Sequence, residues 1–221
     1  FSATDANGVI GYSYVLDQLS STTPDTISEG KSTTKSYSNL GDGIWYFHIR
    51  AMDVVENWGN PSHYTVRIDS TPPNAPSPDD GIASWSNSTS RTFSWPGVTD
   101  TAPVDGYYYG LDDSSTGNWV AGTSVTIDNI PDGTHTFYVK SHNSAGLSSS
   151  NGSHTCYVDT VAPSKPIGLT ADPSIWTKTN LFSINWTNPG DTSGIVTGAY
   201  YKLDSPPTSN LDGTWTGNKP F

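Results

Sequence analysis

The stretch LGDGIWYFHIRA at residues 40–51 decides the fold, because it returns 90 residues later as IPDGTHTFYVKS at 130–141. The same shift of 90 relates the proline-rich segment IDSTPPNAP at 68–76 to VDTVAPSKP at 158–166. A period of this length is too long for one unit of a helical solenoid and is typical of an independent small β domain. The chain is therefore predicted to be an array of similar domains.

A third copy follows the first two. Phe93 and Trp95 have counterparts in Ile184 and Trp186 at a shift of 91, so one residue is inserted between these copies. The pattern Tyr-x-Leu-Asp at 109–112 also occurs upstream at 14–17 and downstream at 201–204. Three copies are present, and the two at the ends are incomplete.

This phase predicts three domains. Residues 1–72 form a partial domain that lacks its first strands, residues 73–162 form a complete domain, and residues 163–221 form a partial domain that lacks its last strands. Each end domain is expected to leave strand edges and an apolar face open. The simpler interpretation is that the chain is an excerpt from a longer array. The proline-rich joints are predicted to be semi-rigid, so that the array is extended.

Short alternating runs separated by Gly, Pro, Asn and Asp predict an all-β fold. Alternation in the middle copy places His135, Phe137 and Val139 on one face, and the first copy has Trp45 and Phe47 in the same registers. In the middle copy the predicted strands are 82–85, 91–95, 106–111, 117–120, 123–127, 134–141 and 153–158.

These units resemble fibronectin type III domains and related bacterial immunoglobulin-like domains. Trp95 and Trp186 lie where that family has its buried tryptophan, and Gly106-Tyr107 is similar to the start of its third strand. The turn at 40–43 resembles the entry to its sixth strand. The resemblance implies tandem immunoglobulin-like β-sandwiches, one complete and two partial.

The chain departs from the family pattern at the corner tyrosine. That position is Trp45 in the first copy and His135 in the second. A hydroxyl-to-backbone hydrogen bond is therefore expected to be missing. The departure favours a bacterial or archaeal immunoglobulin-like relative.

Composition excludes several classes of function. The net charge is −11 and only ten Lys and Arg are present, without a cluster, so no nucleic-acid partner is predicted. No apolar run is long enough to predict membrane insertion. The single Cys156 is expected to be a buried apolar thiol, because its repeat partner is Val66.

No motif predicts catalysis, so no catalytic residue is assigned and the chain is not expected to be an enzyme. It has no nucleophile elbow, phosphate-binding loop, HExxH pair or CxxC pair. None of the five histidines is paired at i+2 or i+4, and they are interpreted as ordinary strand or surface residues.

Calcium is the only cofactor considered, because several aspartates lie near turns. Asp69 and Asp159, in the two joints, are the candidate ligands, since a joint gains most in rigidity from a bound ion. Calcium needs six to eight oxygen ligands. The alternative is that these are solvated turn aspartates, which make local hydrogen bonds. No other cofactor is predicted.

Exposed aromatic side chains are the candidate ligand-binding residues. Trp58, Trp119 and Trp215 fall in predicted loops or edges, and their flat rings suit stacking on a sugar. The competing interpretation is that they cover joints or pack under loops. Asn87 and Asn151 are candidate glycosylation sites. Chance alone explains the number of sequons in a chain so rich in Ser and Thr.

The sequence therefore predicts a non-catalytic segment of a large extracellular or cell-surface repeat protein, acting as a spacer, stalk or adhesion array. One alternative is that it forms accessory domains of a secreted carbohydrate-active enzyme. Another is that it is a subunit of an extracellular filament joined head to tail through its incomplete end domains. The expected partners are neighbouring repeats of the same protein and a cell-surface glycan or protein.

Overall fold

The computed structural model describes residues 8–178, 181–194, 196–203, 205, 208–209 and 212–217. The described part of the chain is all-β and contains no helix. Its strands are β1 (Val9–Asp17), β2 (Gly43–Asp53), β3 (Ser62–Ile68), β4 (Arg91–Ser94), β5 (Val104–Leu111), β6 (Asn118–Val120), β7 (Ser124–Ile127), β8 (Gly133–Asn143), β9 (Gly152–Val158), β10 (Ile167–Asp172), β11 (Ser183–Thr187), β12 (Gly198–Tyr201) and β13 (Thr214–Gly217).

The middle repeat forms a β-sandwich. One sheet has four antiparallel strands in the order β6-β5-β8-β9, and the other pairs β4 with β7. The two sheets share one hydrophobic core, in which the rings of Phe93 on β4 and Phe137 on β8 stack 4.2 Å apart. Trp95 is buried against Tyr107, as the sequence pattern predicts. Cys156 is a free thiol in this core and is fully buried, which confirms its predicted environment.

Alternation along β8 confirms the predicted faces. His135, Phe137 and Val139 are buried, whereas Thr136 and Tyr138 between them are only half-buried. Six of the seven strands predicted in this repeat are present, with ends that differ by a few residues.

The predicted strand at 82–85 is wrong. The Asp79 and Asp80 carboxylates accept hydrogen bonds from the N–H groups of Gly81 and Ile82, at 3.0 and 2.9 Å, and these turns end the extended backbone. The chain instead changes sheets here. Asp79 forms a bridge with Ser94 on the β4 side, and the next bridge joins Ser86 to β9.

The first repeat contributes one three-stranded sheet with the order β1-β2-β3. The segment at 34–37, which corresponds to β7, is not a strand. In the middle repeat β7 pairs only with β4, and the described part of the first repeat contains no counterpart of β4 for this segment to pair with. The face that should be covered is open: Leu16, Phe47, Ile49 and Val66 line a groove of about 790 Å³.

The third repeat contains two antiparallel pairs, β10-β11 and β12-β13. Its apolar face is also open, because Phe182 is 52% exposed and Ile184 is 44% exposed. The domain boundaries at 72 and 162 stay predictions. Residues 1–7 and 218–221 of the predicted end domains, and Asp204 of the repeated Tyr-x-Leu-Asp pattern, lie outside the described residues.

Candidate functional site

The two joint aspartates make equivalent contacts with the repeat that follows them. Asp69 Oδ2 accepts a hydrogen bond from the Ala102 N–H at 3.0 Å, and Asp159 Oδ2 accepts one from the Ser193 N–H at 3.0 Å. Ala102 and Ser193 are 91 residues apart, which is the shift that relates the second and third copies. The two joints therefore share one hydrogen-bonding pattern.

A second carboxylate lies at each joint. The Asn143 amide donates to Asp69 Oδ2 and to Asp100 Oδ2, both at 2.8 Å. In the second joint, Asp191 contacts Asp159. Desolvation opposes ionisation of Asp159, but hydrogen bonds from the Val161 and Ser193 N–H groups outweigh it, so the pKa of Asp159 lies below its ordinary value of 3.8.

These contacts bear on the calcium prediction without testing it. Each joint brings two carboxylates together, which is part of a calcium ligand set, but N–H donors already bind Oδ2 of Asp69 and of Asp159. A site with six to eight oxygen ligands would need further ligands from the backbone or water. Calcium binding at Asp69 and Asp159 therefore stays a prediction.

Each joint is also held by an aspartate in the turn before a long strand, Asp42 before β2 and Asp132 before β8. Asp42 Oδ1 accepts hydrogen bonds from the Ser70 N–H at 2.9 Å and the Ser70 hydroxyl at 2.7 Å. Asp132 Oδ1 accepts the same pair from Thr160, at 2.9 and 2.8 Å. Hydrogen bonds from the Thr71 and Ser70 hydroxyls hold the pKa of Asp42 below its ordinary value.

Two of the three candidate tryptophans make the same packing arrangement. Trp119 on β6 lies opposite Tyr108, and Trp215 on β13 lies opposite Tyr200, with ring centroids 4.8 Å apart in both pairs. Each indole covers a glycine. A Cβ added to Gly106 would lie 2.3 Å from Trp119 Cζ2, and the neighbouring repeat shows the same close approach at Gly198.

The candidate tryptophans differ in what they leave to solvent. Trp119 is 44% exposed on the edge strand of the four-stranded sheet. Trp215 is half-buried, and its indole nitrogen is buried without a hydrogen-bond partner. Trp58 is half-buried in the loop after β2, where the Arg50 guanidinium lies 4.9 Å from its ring. Among the three, Trp119 offers the most open ring.

Trp45 and His135, which replace the corner tyrosine, still contact the backbone although they have no hydroxyl group. Trp45 Nε1 donates to the Gly41 carbonyl at 2.9 Å, and His135 Nε2 lies 2.9 Å from the Pro131 carbonyl. In both repeats the acceptor is four residues upstream. Only the tyrosine hydroxyl is absent, because a ring N–H replaces it as the donor.

The histidines are not the isolated residues that the sequence indicates. His135 Nδ1 lies 2.6 Å from Asp112 Oδ2, His142 Nδ1 lies 2.9 Å from Asp105 Oδ1, and His48 contacts both Asp17 and His63. Desolvation opposes ionisation of Asp112, but hydrogen bonds from His135 and the Thr136 N–H outweigh it and lower its pKa.

Sequence reasoning missed one group that matters for metal binding. Asp79, Asp80 and His154 place three potential ligand atoms within 4.8 Å of one another. The histidine lies 74 residues from Asp80 in the chain, so no local spacing reveals the cluster. The Asp79-Asp80 doublet is the local signal that the sequence offers, and aspartates of this kind are common in turns.

The candidate glycosylation sites lie on the surface. Asn87 and Asn151 are both exposed, and the Asn151 amide donates to the Ser114 carbonyl at 2.7 Å. Glycosylation at either residue stays a prediction.

Comparison with known proteins does not assign the chain to a family. No family model matches the chain, and none of the curated proteins matches it. Among solved structures, it is similar to the fibronectin(III)-like modules of Clostridium thermocellum CbhA, with a TM-score of 0.32 and 14% identity over 71% of this chain and 82% of that chain. A TM-score of 0.32 is too low to assign a fold, so the all-β class rests on the strands themselves. No helix in the described residues is long and apolar enough to cross a membrane.

Proposed function

We propose that this chain is a non-catalytic segment of an extracellular or cell-surface array of fibronectin type III-like domains, in which it acts as a spacer. The proposed mechanism is geometric. Each repeat is held against the next by its joint, so that the array keeps a defined direction. The acidic surface keeps such arrays soluble and mutually repelling.

The observation that carries this proposal is the recurrence of the joint contacts. Asp69 and Asp159 bind backbone N–H groups of the following repeat in the same way. Asp42 and Asp132, each within its own repeat, fix the residue after the joint aspartate in the same way, so that the start of each joint is held. An array whose repeats moved independently would have no reason to repeat a set of contacts between them. The repetition therefore supports a joint with a fixed angle.

Small-angle X-ray scattering tests this proposal. The Asp69→Ala, Asp159→Ala double variant is expected to have a broader distribution of interatomic distances and a shorter average extension than the unmodified chain. Asp113→Asn is the matched control, because that carboxylate binds only within its own turn, at the Ser115 N–H. Scattering from the double variant that matches the unmodified chain would argue against a spacer held by these joints.

The alternative role as an accessory domain of a carbohydrate-active enzyme is supported by one observation, the repeated Trp-Tyr pair. Trp119 and Trp215 lie on the edge strands of successive repeats, so a polymer with repeating sugars has two flat rings to contact. Stacking on an aromatic ring does not require charge, and the net charge of −11 favours a neutral polysaccharide over an acidic one.

Affinity electrophoresis on neutral polysaccharides distinguishes the two roles. Retardation that is lost in Trp119→Ala and kept in Trp85→Ala would support glycan binding. Trp85 is the control because it packs against Tyr157 on β9, at the opposite edge of the four-stranded sheet from Trp119. Equal mobility of all three proteins with every polymer would leave the spacer role as the better account.

A further inference from the structure

A side-chain cluster in the middle repeat lies where the chain crosses from one sheet to the other. Asp79 and Asp80 follow Pro78, and His154 projects from β9 beside them. The segment before the doublet runs against β9 so closely that a Cβ on Gly152 would lie 1.8 Å from the Pro76 carbonyl oxygen. Gly152 thus permits the approach that brings the carboxylates to the histidine.

The histidine ring faces both carboxylates. His154 Nε2 lies 3.0 Å from Asp80 Oδ1, and His154 Nδ1 lies 3.7 Å from Asp79 Oδ1. The first distance is close to the separation of two ligands around one zinc ion, since each lies about 2.0–2.2 Å from the metal. The Asp79 side chain is 71% exposed, so one side of the cluster is open to solvent.

The buried member of the cluster gives an independent indication of a ligand. The Asp80 side chain is fully buried, and its Oδ2 atom has no hydrogen-bond partner among the described residues. Arg91 Nη1 lies 3.6 Å from that oxygen, which is an ion pair without a hydrogen bond. A buried carboxylate oxygen without a donor is costly. The Arg91 charge offsets part of that cost, and a metal ion bound at the cluster would offset more of it.

The donor set decides which cation fits. An imidazole nitrogen with two carboxylates is a zinc ligand set of the kind that leaves a position open, whereas calcium needs six to eight oxygens. Arg91 adds a positive charge beside the cluster, which favours a site with strong ligand bonds over one that relies on charge alone. We propose that Asp79, Asp80 and His154 bind one Zn²⁺ ion with an open position toward solvent.

The site has a structural consequence for the repeat. Asp79 and Asp80 lie on the segment that bridges to β4, and His154 lies on β9 of the other sheet. Bound Zn²⁺ fastens the two sheets of the sandwich at one edge. The corresponding positions of the first and third repeats lack this set, since Tyr64 replaces His154 in the first and Thr170 and Ala171 replace the aspartates in the third.

Isothermal titration of the metal-free 221-residue chain with Zn²⁺ tests the site. We expect one ion per chain, with affinity reduced at least about tenfold in His154→Ala and in Asp79→Asn, as for other losses around a metal. His142→Ala is the matched control, because His142 lies outside the cluster, where it pairs with the Asp105 carboxylate at 2.9 Å and packs against Tyr108 and Trp119. The Zn²⁺ affinity of this variant should be unchanged.

A check of folding makes the titration decisive. Circular dichroism checks that each variant is folded. If His154→Ala does not fold, Asp79→Asn alone tests the site, because the exposed Asp79 side chain contributes little to the core. The absence of saturable Zn²⁺ binding overturns the proposal and leaves the cluster as a histidine that bridges two carboxylates. An equal loss of affinity in His142→Ala also overturns it, since binding would then be nonspecific.

Discussion

At the scale of single residues, Trp45 and His135 show that one backbone bond can be made by different side chains. Trp45 Nε1 donates to the carbonyl four residues upstream, and His135 Nε2 faces the equivalent carbonyl, both at 2.9 Å. The backbone of the turn fixes the position of that carbonyl, and the side chain needs only a ring donor that reaches it. The corner is therefore a property of the turn, and the residue that completes it varies between repeats.

His135→Phe tests the value of this bond. Phenylalanine keeps the ring but removes both nitrogens, so the Pro131 carbonyl and the Asp112 carboxylate lose the ring nitrogens that they face at 2.9 and 2.6 Å. We expect the free energy of unfolding of the middle repeat to fall by about 1–3 kcal/mol, the cost of leaving such groups unsatisfied. Urea denaturation measures it. Thr136→Val is the control on the opposite face of β8. Equal stability of His135→Phe and the unmodified chain would show that the contacts of the His135 ring nitrogens do not stabilise the repeat.

At the scale of elements, the sequence could predict strands wherever alternation is clear. Alternation identified β8 and its buried face, because Phe137 and Val139 are apolar whereas Thr136 and Lys140 on the other register are polar. It failed at 82–85, where the Asp79 and Asp80 carboxylates bind N–H groups two residues further along the chain. The segment at 34–37, the counterpart of β7, forms no strand either, and strand pairing of this kind depends on a partner far away in the chain, which local pattern does not contain.

The candidate sites were predicted less well for the same reason. The exposed ring of Trp119 follows from its place on an edge strand, which the sequence indicates. The equivalence of Asp69 and Asp159 was visible in the repeat, but their N–H donors in the following repeat were not. The Asp79, Asp80 and His154 cluster required the fold itself.

Strand β4 contains a buried charge that alternation places on the core face. Arg91 is 2% exposed, in the same register as Phe93, and its Nη2 donates to the Tyr157 carbonyl at 2.7 Å. The third repeat has Phe182 at the position of Arg91 and Ala171 at that of Asp80, so an apolar pair replaces the charged one.

We expect Arg91→Met to lower the free energy of unfolding by about 3–5 kcal/mol, because it leaves the Asp80 carboxylate buried without its cation. Adding Asp80→Ala should recover a large part of this loss, as the double change reproduces the apolar pairing of the third repeat. Chemical denaturation of the single and double variants measures both effects. A double variant as unstable as Arg91→Met would show that the charge of Asp80 is not the cause.

At the scale of the whole molecule, the joints should depend on pH. The pKa values of Asp42 and Asp159 lie below the ordinary value of 3.8 in the folded chain. Their contribution is therefore fully present above that value and is lost as the pH falls through the lower folded pKa values. We expect repeats to tumble together near neutral pH and more independently under acid, below about pH 4.

NMR relaxation of backbone amides in the middle and third repeats measures this change. Asp159→Asn is the control, since it removes the titrating group and should show the looser motion of the third repeat at neutral pH as well. A correlation time for that repeat that stays constant from neutral pH to acid, with the strands intact, would contradict the prediction.

The two open apolar faces of the molecule complement each other in the way that the middle repeat shows. There, Phe93 on β4 and Trp95 directly after it cover the face of the larger sheet. In the first repeat the same face is open and is lined by Phe47 and Ile49, while in the third repeat the counterpart of β4 exposes Phe182 and Ile184. Exposed apolar surface of this kind favours association.

We therefore expect this 221-residue chain to associate head to tail, with the β10-β11 pair of one copy covering the groove of another. Light scattering coupled to size-exclusion chromatography should show a mass that rises from 23.6 kDa with concentration. Ile184→Asp should restore the monomer because it places a charge in the covered face, whereas Val55→Asp, in an exposed loop away from the groove, should not. A monomer at every concentration would show that the two faces do not meet between copies.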